Sequence, residues 1–412
     1  MTGGVERVRA RPASQPRVPP RIALLGVGNV GVAFLQRLQL LQQDGLAREL
    51  TLAYVTNSKV ATLLRPSPFG RGVGERVRRS GTSESPLVSV SPRTEPPPAE
   101  ERRYPPPAPV LHTPFEHLLP HANEGWTVTP SDLDSIARAL TATGDVGARI
   151  VIDATASDAV AARHAEWLAQ GIHVVTACKL GQGTALQRWR EIHAACEEGR
   201  TRYGDSATVG AGLPLLRTLR ALRAGGDRIH AIAGVLSGSL AWLFNHYDGL
   251  RPFSGFLRDA RAAGYTEPDP RDDLSGEDLR RKLLILARTA GFELEADAVA
   301  VQSLVPSALA GLPVEHVDGA LPMLDGPLRA QFAQAWKRGE RLRFVARLEA
   351  GHAQVGLESL PADDPLAGGS GIDNRVAIWS DRYRNQPLVI QGPGAGAEVT
   401  AAALLDDVLA LL

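Results

Sequence analysis

Cysteine is almost missing from this chain: Cys178 and Cys196 are the only two among 412 residues. Two thiols cannot build a disulfide framework, and no Cys/His cluster has the spacing of a zinc site. Both are expected to be reduced thiols in a reducing compartment. No apolar run is long enough to span a membrane. The N-terminus is rich in Arg and Pro but has no apolar h-region, which excludes a secretory signal, and a cytoplasmic setting follows by elimination. Net charge is missing as well, since 45 basic side chains balance 45 acidic ones. No global field then draws the chain to nucleic acid or to an anionic membrane, and an enzyme for small zwitterions fits better. There is no internal repeat.

What remains is ordinary globular composition, 44% hydrophobic and 22% charged. A chain of 412 residues exceeds what one core usually organises, so two domains are expected. Residues 1 to 20 lack periodicity and are expected to form a flexible tail. Arg21–Leu25 has the pattern of a buried strand and runs into Gly26-Val27-Gly28-Asn29-Val30-Gly31. Val30, Phe34, Leu38 and Leu41 then recur at helical spacing, and Leu50–Val55 is a second strand. Strand, glycine turn, helix and strand open a doubly wound α/β sheet of Rossmann-like type.

From about residue 65 to 112 the pattern dissolves. This stretch holds 11 of the 30 prolines, two Pro triplets among them, and is expected to be a disordered insertion. Helices are predicted over Ser131–Leu140 and Val160–Gln170, the second ended by Gly171, and strands over Arg149–Ala154 and His173–Thr176. The nucleotide-binding domain thus runs over 21–203. Residues 204–391 form an α+β domain, with strands at Ile229–Leu236, Leu342–Leu348 and Ala353–Leu360 and helices at Phe253–Ala263 and Leu279–Ala290. Residues 392–412 end in a helix, whose Val399, Ala402, Leu405, Leu409 and Leu412 share a face.

The glycines at 26, 28 and 31 suit a dinucleotide. The first permits the tight turn, the second lets backbone amides approach a pyrophosphate, and the third lets helix and strand pack closely. Asn29 and Val30 lie within that turn. The second strand ends without the carboxylate that would bind the ribose 2′-hydroxyl of NAD: it reads Val55-Thr56-Asn57-Ser58-Lys59. A 2′-phosphate is therefore tolerated, with Lys59 and Arg65 nearby, and NADP stands beside NAD as the expected cofactor.

The richest segment runs from Tyr265 to Lys282, an acidic, proline-stiffened loop that feeds a helix. Ser275 and Asp278 have capping-box spacing, which predicts a helix starting at Gly276. Asp278 and Lys282 are then i,i+4 neighbours on the flank of a stripe of Leu279, Leu283, Leu286 and Ala290. A dehydrogenase acting on an alcohol needs a group to take the hydroxyl proton. No histidine has a suitable neighbourhood, which leaves Lys282. An ordinary surface salt bridge is the competing reading.

Together these residues resemble homoserine dehydrogenase, either its monofunctional form or the C-terminal half of the aspartokinase fusions. Thr208–Pro214, Gly234–Leu240 and Gly392–Thr400 carry further likeness, which extends from Arg21 to Leu412 except for the insertion. The resemblance implies interconversion of L-homoserine and L-aspartate 4-semialdehyde, with Lys282, Asp278 and Lys179 as catalytic residues. It implies substrate contacts from Glu267, Tyr265, Asp273 and the Gly238-Ser239 turn. It adds Thr155, Lys179 and Gly394 to the cofactor set of Gly26, Gly28, Asn29, Val30, Gly31 and Asn57. Gly394-Ala395-Gly396 would return the chain to the nucleotide domain. The carbonyls of Val209, Ala211 and Leu213 would hold a monovalent cation, Na+ or K+. A homodimer paired through the second domain is also implied. Because the chain ends at Leu412 and begins without a kinase domain, threonine feedback through an appended domain is not expected.

Two positions depart from the family pattern. Cys178 stands where Asn is usual, and Ser206 where Glu is usual, which removes a cation ligand if that side chain contributes. The alternatives are another NAD(P)-dependent dehydrogenase of a small amino-acid alcohol or semialdehyde, or a nucleotide-binding sensor without catalysis. Cys178 beside Lys179 is read as a small buried cysteine, with a redox-sensitive thiolate as the competing reading.

Overall fold

The computed structural model describes residues 18–47, 49–57, 60–64, 126–141 and 147–412. The expectations for residues 1–17, for Lys59 and for the insertion at 65–112 lie outside the described residues.

Two sheets organise the chain. The first contains β1 (Arg21–Leu25), β2 (Thr51–Thr56), β3 (Val60–Leu64), β4 (Trp126–Pro130), β5 (Arg149–Asp153), β6 (His173–Thr176) and β7 (Tyr203–Gly204). Their spatial order is β4-β3-β2-β1-β5-β6-β7, with β2, β1, β5, β6 and β7 parallel. All five residues of β1 are buried, as a central parallel strand covered on both faces requires. The Asn29–Gln43 helix covers one face through Phe34, Leu35 and Leu38; Trp167, Leu168 and Ile192 belong to the cluster on the other. β2 and β5 flank β1 on opposite sides, so the glycine turn after β1 sits where the winding reverses, and ligand crevices form at such points.

Several boundaries differ from expectation. β3 was not predicted; it pairs antiparallel with both β2 and β4, putting a reversed strand into a sheet expected to be parallel. The last residues of the expected tail are held: the Pro20 carbonyl accepts from Thr51 N at 2.9 Å, and that of Pro19 from Gly147 N at 3.3 Å. The helix predicted over Ser131–Leu140 starts later, as Ser135–Thr141. The Val160–Gln170 helix is two short pieces, Asp158–Ala161 and His164–Ala169, with Ser157 capping the first. Gly171 does take the left-handed conformation, at φ 74°.

The second sheet contains β8 (Ile229–Val235), β9 (Val299–Val301), β10 (Arg341–Glu349), β11 (His352–Leu360), β12 (Asp373–Ser380) and β13 (Leu388–Pro393), in the order β13-β12-β8-β10-β11-β9. It is antiparallel except where β9 meets β11, so it is the mixed sheet of an α+β domain with twice the three strands expected. The long helix Glu277–Ala290 packs in the core against this sheet. Its stripe of Leu279, Leu283, Leu286 and Ala290 is buried as predicted, but Leu284, Ile285 and Ala287 are buried too, so the helix has neighbours nearly all round.

The last helix, Ala397–Leu409, leaves the second sheet and joins the core of the first. Its buried face is Ala401, Leu404, Leu405 and Val408, which shares only Leu405 with the predicted one; Leu409 and Leu412 are exposed. Both stripes have helical spacing, and the neighbouring Asn29–Gln43 helix selects between them.

Candidate active site

The carboxyl edge of the first sheet gathers four predicted positions. Gly26 N donates to the Thr56 carbonyl at 2.8 Å, Ala154 N to Leu25 at 2.8 Å, and Ala177 N to Asp153 at 2.9 Å. Gly26, Asn57, Thr155 and Lys179 therefore leave adjacent strand ends at one level. Gly26 takes φ 91°, and a Cβ there would meet the Ala154 carbonyl oxygen at 2.8 Å. At Gly31 a Cβ would lie 1.9 Å from the Gly26 carbonyl oxygen. Gly28 differs: a Cβ there would meet nothing within 4 Å. It opens the Asn29–Gln43 helix, which has no side-chain cap and no acid in its first turn. An open cradle at an uncapped helix start fits a pyrophosphate.

Thr155 is tied to a buried network. Its backbone N and Oγ1 donate to Asp153 Oδ1 at 2.9 and 2.6 Å. The other Asp153 oxygen meets His164 Nε2 at 3.0 Å, and His164 Nδ1 lies 2.9 Å from the Tyr203 hydroxyl. The histidine that sequence reasoning passed over is thus a fully buried support beneath the Thr155 turn.

Lys282 is 8% exposed. Its Nζ donates to the Leu236 carbonyl at 2.7 Å and lies 2.8 Å from Asp278 Oδ2. From the loop after β6, Lys179 Nζ stands 3.4 Å from Asp278 Oδ1. Burial would raise the Asp278 pKa, but the two ammonium groups outweigh it and hold the carboxyl well below the usual range. A surface salt bridge does not describe this arrangement. A buried ammonium needs partners, since transfer without them costs several kcal/mol, and here it has a carboxylate and a carbonyl.

The expected cap is corrected. Gly276, in the left-handed region at φ 81°, is the N-cap of the Glu277–Ala290 helix, and it makes no side-chain cap bond. Ser275 Oγ instead donates to Asp272 O and accepts from Glu277 N. Gly238-Ser239 is no free turn either; it begins the helix Gly238–His246, capped by Ser237. Ser239 Oγ donates to Asp273 Oδ1 at 2.7 Å, and Glu267 N donates to Asp273 Oδ2 at 2.8 Å. Burial pushes the Asp273 pKa up. Tyr265 packs against Trp242 with ring centroids 5.6 Å apart, and Glu267 is exposed. Asp273 thus fastens the acidic loop to the Gly238–His246 helix, whose Ser237 cap follows the Leu236 carbonyl that Lys282 holds.

Gly394 closes the ring of positions. A Cβ there would fall 2.0 Å from the Asn374 amide, whose Nδ2 donates to that same Leu236 carbonyl at 3.3 Å. Asn374 Oδ1 and Thr266 Oγ1 are buried with no partner among the described residues. Neither was foreseen, for nothing in the sequence marks an Asn within a strand or a Thr in a loop as special.

Two family models match the chain: "Homoserine dehydrogenase" over residues 214–409, and "Homoserine dehydrogenase, NAD binding domain" over 108–204. Homoserine dehydrogenase of Emericella nidulans is 35% identical over 408 residues, covering 96% of this chain and 98% of that protein. The chain belongs to the homoserine dehydrogenase family. A bifunctional aspartokinase/homoserine dehydrogenase of Zea mays is 42% identical over 285 residues, 68% of this chain, but the match spans only 31% of that protein. The chain likewise matches about a third of the length of the other bifunctional relatives. A crystal structure of a Candida auris protein of unknown function superposes with a TM-score of 0.75 at 30% identity, covering 95% and 98% of the two chains. A hyperthermophilic archaeal homoserine dehydrogenase solved with NADPH shares the fold, at a TM-score of 0.63 and 18% identity over 96% and 97%.

Within this homoserine dehydrogenase fold, the two departures have local settings. Cys178 is 2% exposed, and burial pushes its thiol pKa up to about 12, so a redox-sensitive thiolate is not supported. Ser206 N and Oγ both donate to the Asp407 carboxylate, at 2.8 and 2.7 Å. In the expected cation loop Gly210 and Ala211 take φ 73° and 50°, and the Leu213 carbonyl accepts from Leu215 N at 2.8 Å.

Proposed function

We propose that the chain catalyses the NAD(P)-dependent interconversion of L-homoserine and L-aspartate 4-semialdehyde. The observation that carries this reading is the Lys179–Asp278–Lys282 cluster, assembled from two domains beside the carboxyl edge of the nucleotide sheet. A nicotinamide, when bound, supplies the hydride acceptor or donor. In reduction the Lys282 ammonium gives a proton to the nascent alkoxide; in oxidation it first releases that proton to solvent, and the neutral amine then takes the homoserine hydroxyl proton. Asp278 orients Lys282 and the substrate, and Lys179 adds positive charge near the carbonyl oxygen. Glu267 binds the substrate ammonium, with Tyr265, Asp273, Gly238 and Ser239 shaping the pocket. Gly26, Gly28, Asn29, Val30 and Gly31 cradle the pyrophosphate, while Asn57, Thr155, Lys179 and Gly394 complete the nucleotide site.

NADP is accepted because β2 ends at Thr56 and Asn57 without a carboxylate to repel a 2′-phosphate. A cytoplasmic homodimer serving threonine and methionine biosynthesis belongs to the same proposal. So does a monovalent cation on the Val209, Ala211 and Leu213 carbonyls, which an unchanged rate after replacing K+ and Na+ with tetramethylammonium would remove. The test of the main reading is absorbance at 340 nm with a panel of alcohols and each oxidised nucleotide. Homoserine should be turned over fastest; another alcohol well above it would assign a different dehydrogenase.

A further inference from the structure

Arg288 lies ten residues beyond Asp278 on the same helix, ~15 Å along its axis, and is 1% exposed. Among the described residues its guanidinium forms no ion pair. It donates to three carbonyls instead: Gln182 at 2.5 Å, Thr184 at 2.7 Å, and Leu294 at 3.2 and 2.9 Å. Gln182 and Thr184 belong to the loop that begins with Lys179. Between them Gly183 lies flush against the helix, where a Cβ would come within 2.9 Å of the Arg281 carbonyl oxygen and 2.8 Å of that of Lys179. Gly183 N also closes the turn onto the Lys179 carbonyl at 2.7 Å. Glu295 Oε2 extends the seam by accepting from Leu186 N at 3.1 Å.

We propose that Arg288 is a positioning residue, clamping the Lys179 turn onto the helix that carries Asp278 and Lys282. The Lys179–Asp278 pair joins groups from two domains, so its geometry depends on that seam. Carbonyls buried at the seam need donors, and one guanidinium supplies three of them, from the loop and from the chain beyond the helix. Its planar fork can reach carbonyls on both sides at once, which a lysine ammonium cannot. The proposal rests on the roles assigned above to Lys179 and Asp278.

The test compares Arg288→Lys, Arg288→Met and Gly183→Ala in the full chain, the last disturbing the seam from the loop side. Each is expected to make hydrogen exchange over residues 179–186 about ten-fold faster. Arg288→Lys should lower kcat about ten-fold in the parent but less than about two-fold in a Lys179→Ala background, because the two act as one unit. Equal losses in both backgrounds, or unchanged exchange over 179–186, would overturn the clamp. If the parent does not oxidise homoserine, the functional reading fails, and exchange alone decides the clamp: faster exchange confined to 179–186 supports it, and unchanged exchange overturns it.

Discussion

Asp278 carries the electrostatics of the site. Its pKa is depressed, so whatever stability the paired carboxylate lends is present above the ordinary value of about 3.9. That contribution is lost only as pH falls through the lower folded value. Between pH 5 and 9 Asp278 is therefore ionised throughout and adds no step to a rate profile. Asp278→Asn should lower kcat/KM about ten-fold or more, while the shape of the acidic limb above pH 5 stays that of the parent. An acidic step that vanishes in this variant would contradict the assignment. The Asp278/Lys282 pair was legible from sequence because helical spacing alone brings i and i+4 together. The contacts of Lys282 with Leu236, and of Asn374 with the same carbonyl, join residues 46 and 138 apart in sequence, and no local pattern encodes them.

At the scale of elements, the glycine turn separates packing from binding. Gly31→Ala should destabilise the fold by roughly 1–3 kcal/mol, because its methyl collides with the Gly26 carbonyl. Gly28 has an ordinary φ and open space, so Gly28→Ala should leave thermal unfolding within about 1 °C of the parent. Its nucleotide dissociation constant should nonetheless rise about ten-fold, since the methyl fills the cradle. Equal affinity in parent and Gly28→Ala, read by titration calorimetry, would remove the pyrophosphate from that turn. The turn was legible because strand, glycine spacing and helix agree locally. The C-terminal helix was legible as a helix but not in its facing, which is set by the Asn29–Gln43 helix more than 350 residues earlier. The extra strands β3, β4, β7, β9, β12 and β13 escaped because their partners, not their alternation, define them.

For the whole molecule, the site exists only where two sheets meet. Lys179 follows a strand of one, Asp278 and Lys282 sit on a helix packed against the other, and the final helix returns from the second to the first. The long connection between β3 and β4 departs from strands that pair directly, Leu64 opposite Trp126. Excising residues 66–111 should therefore leave kcat within about two-fold of the parent, since paired ends tolerate a shorter link. It should also leave the oligomeric state, read by light scattering, that of the parent. Insolubility of the shortened chain would show that the segment supports the fold. The most direct measurement of the central claim is single-turnover oxidation of homoserine by Lys282→Ala, with nucleotide binding measured on the same sample. The account predicts a rate lower by about two orders of magnitude or more with nucleotide affinity intact. A rate equal to that of the parent would contradict it.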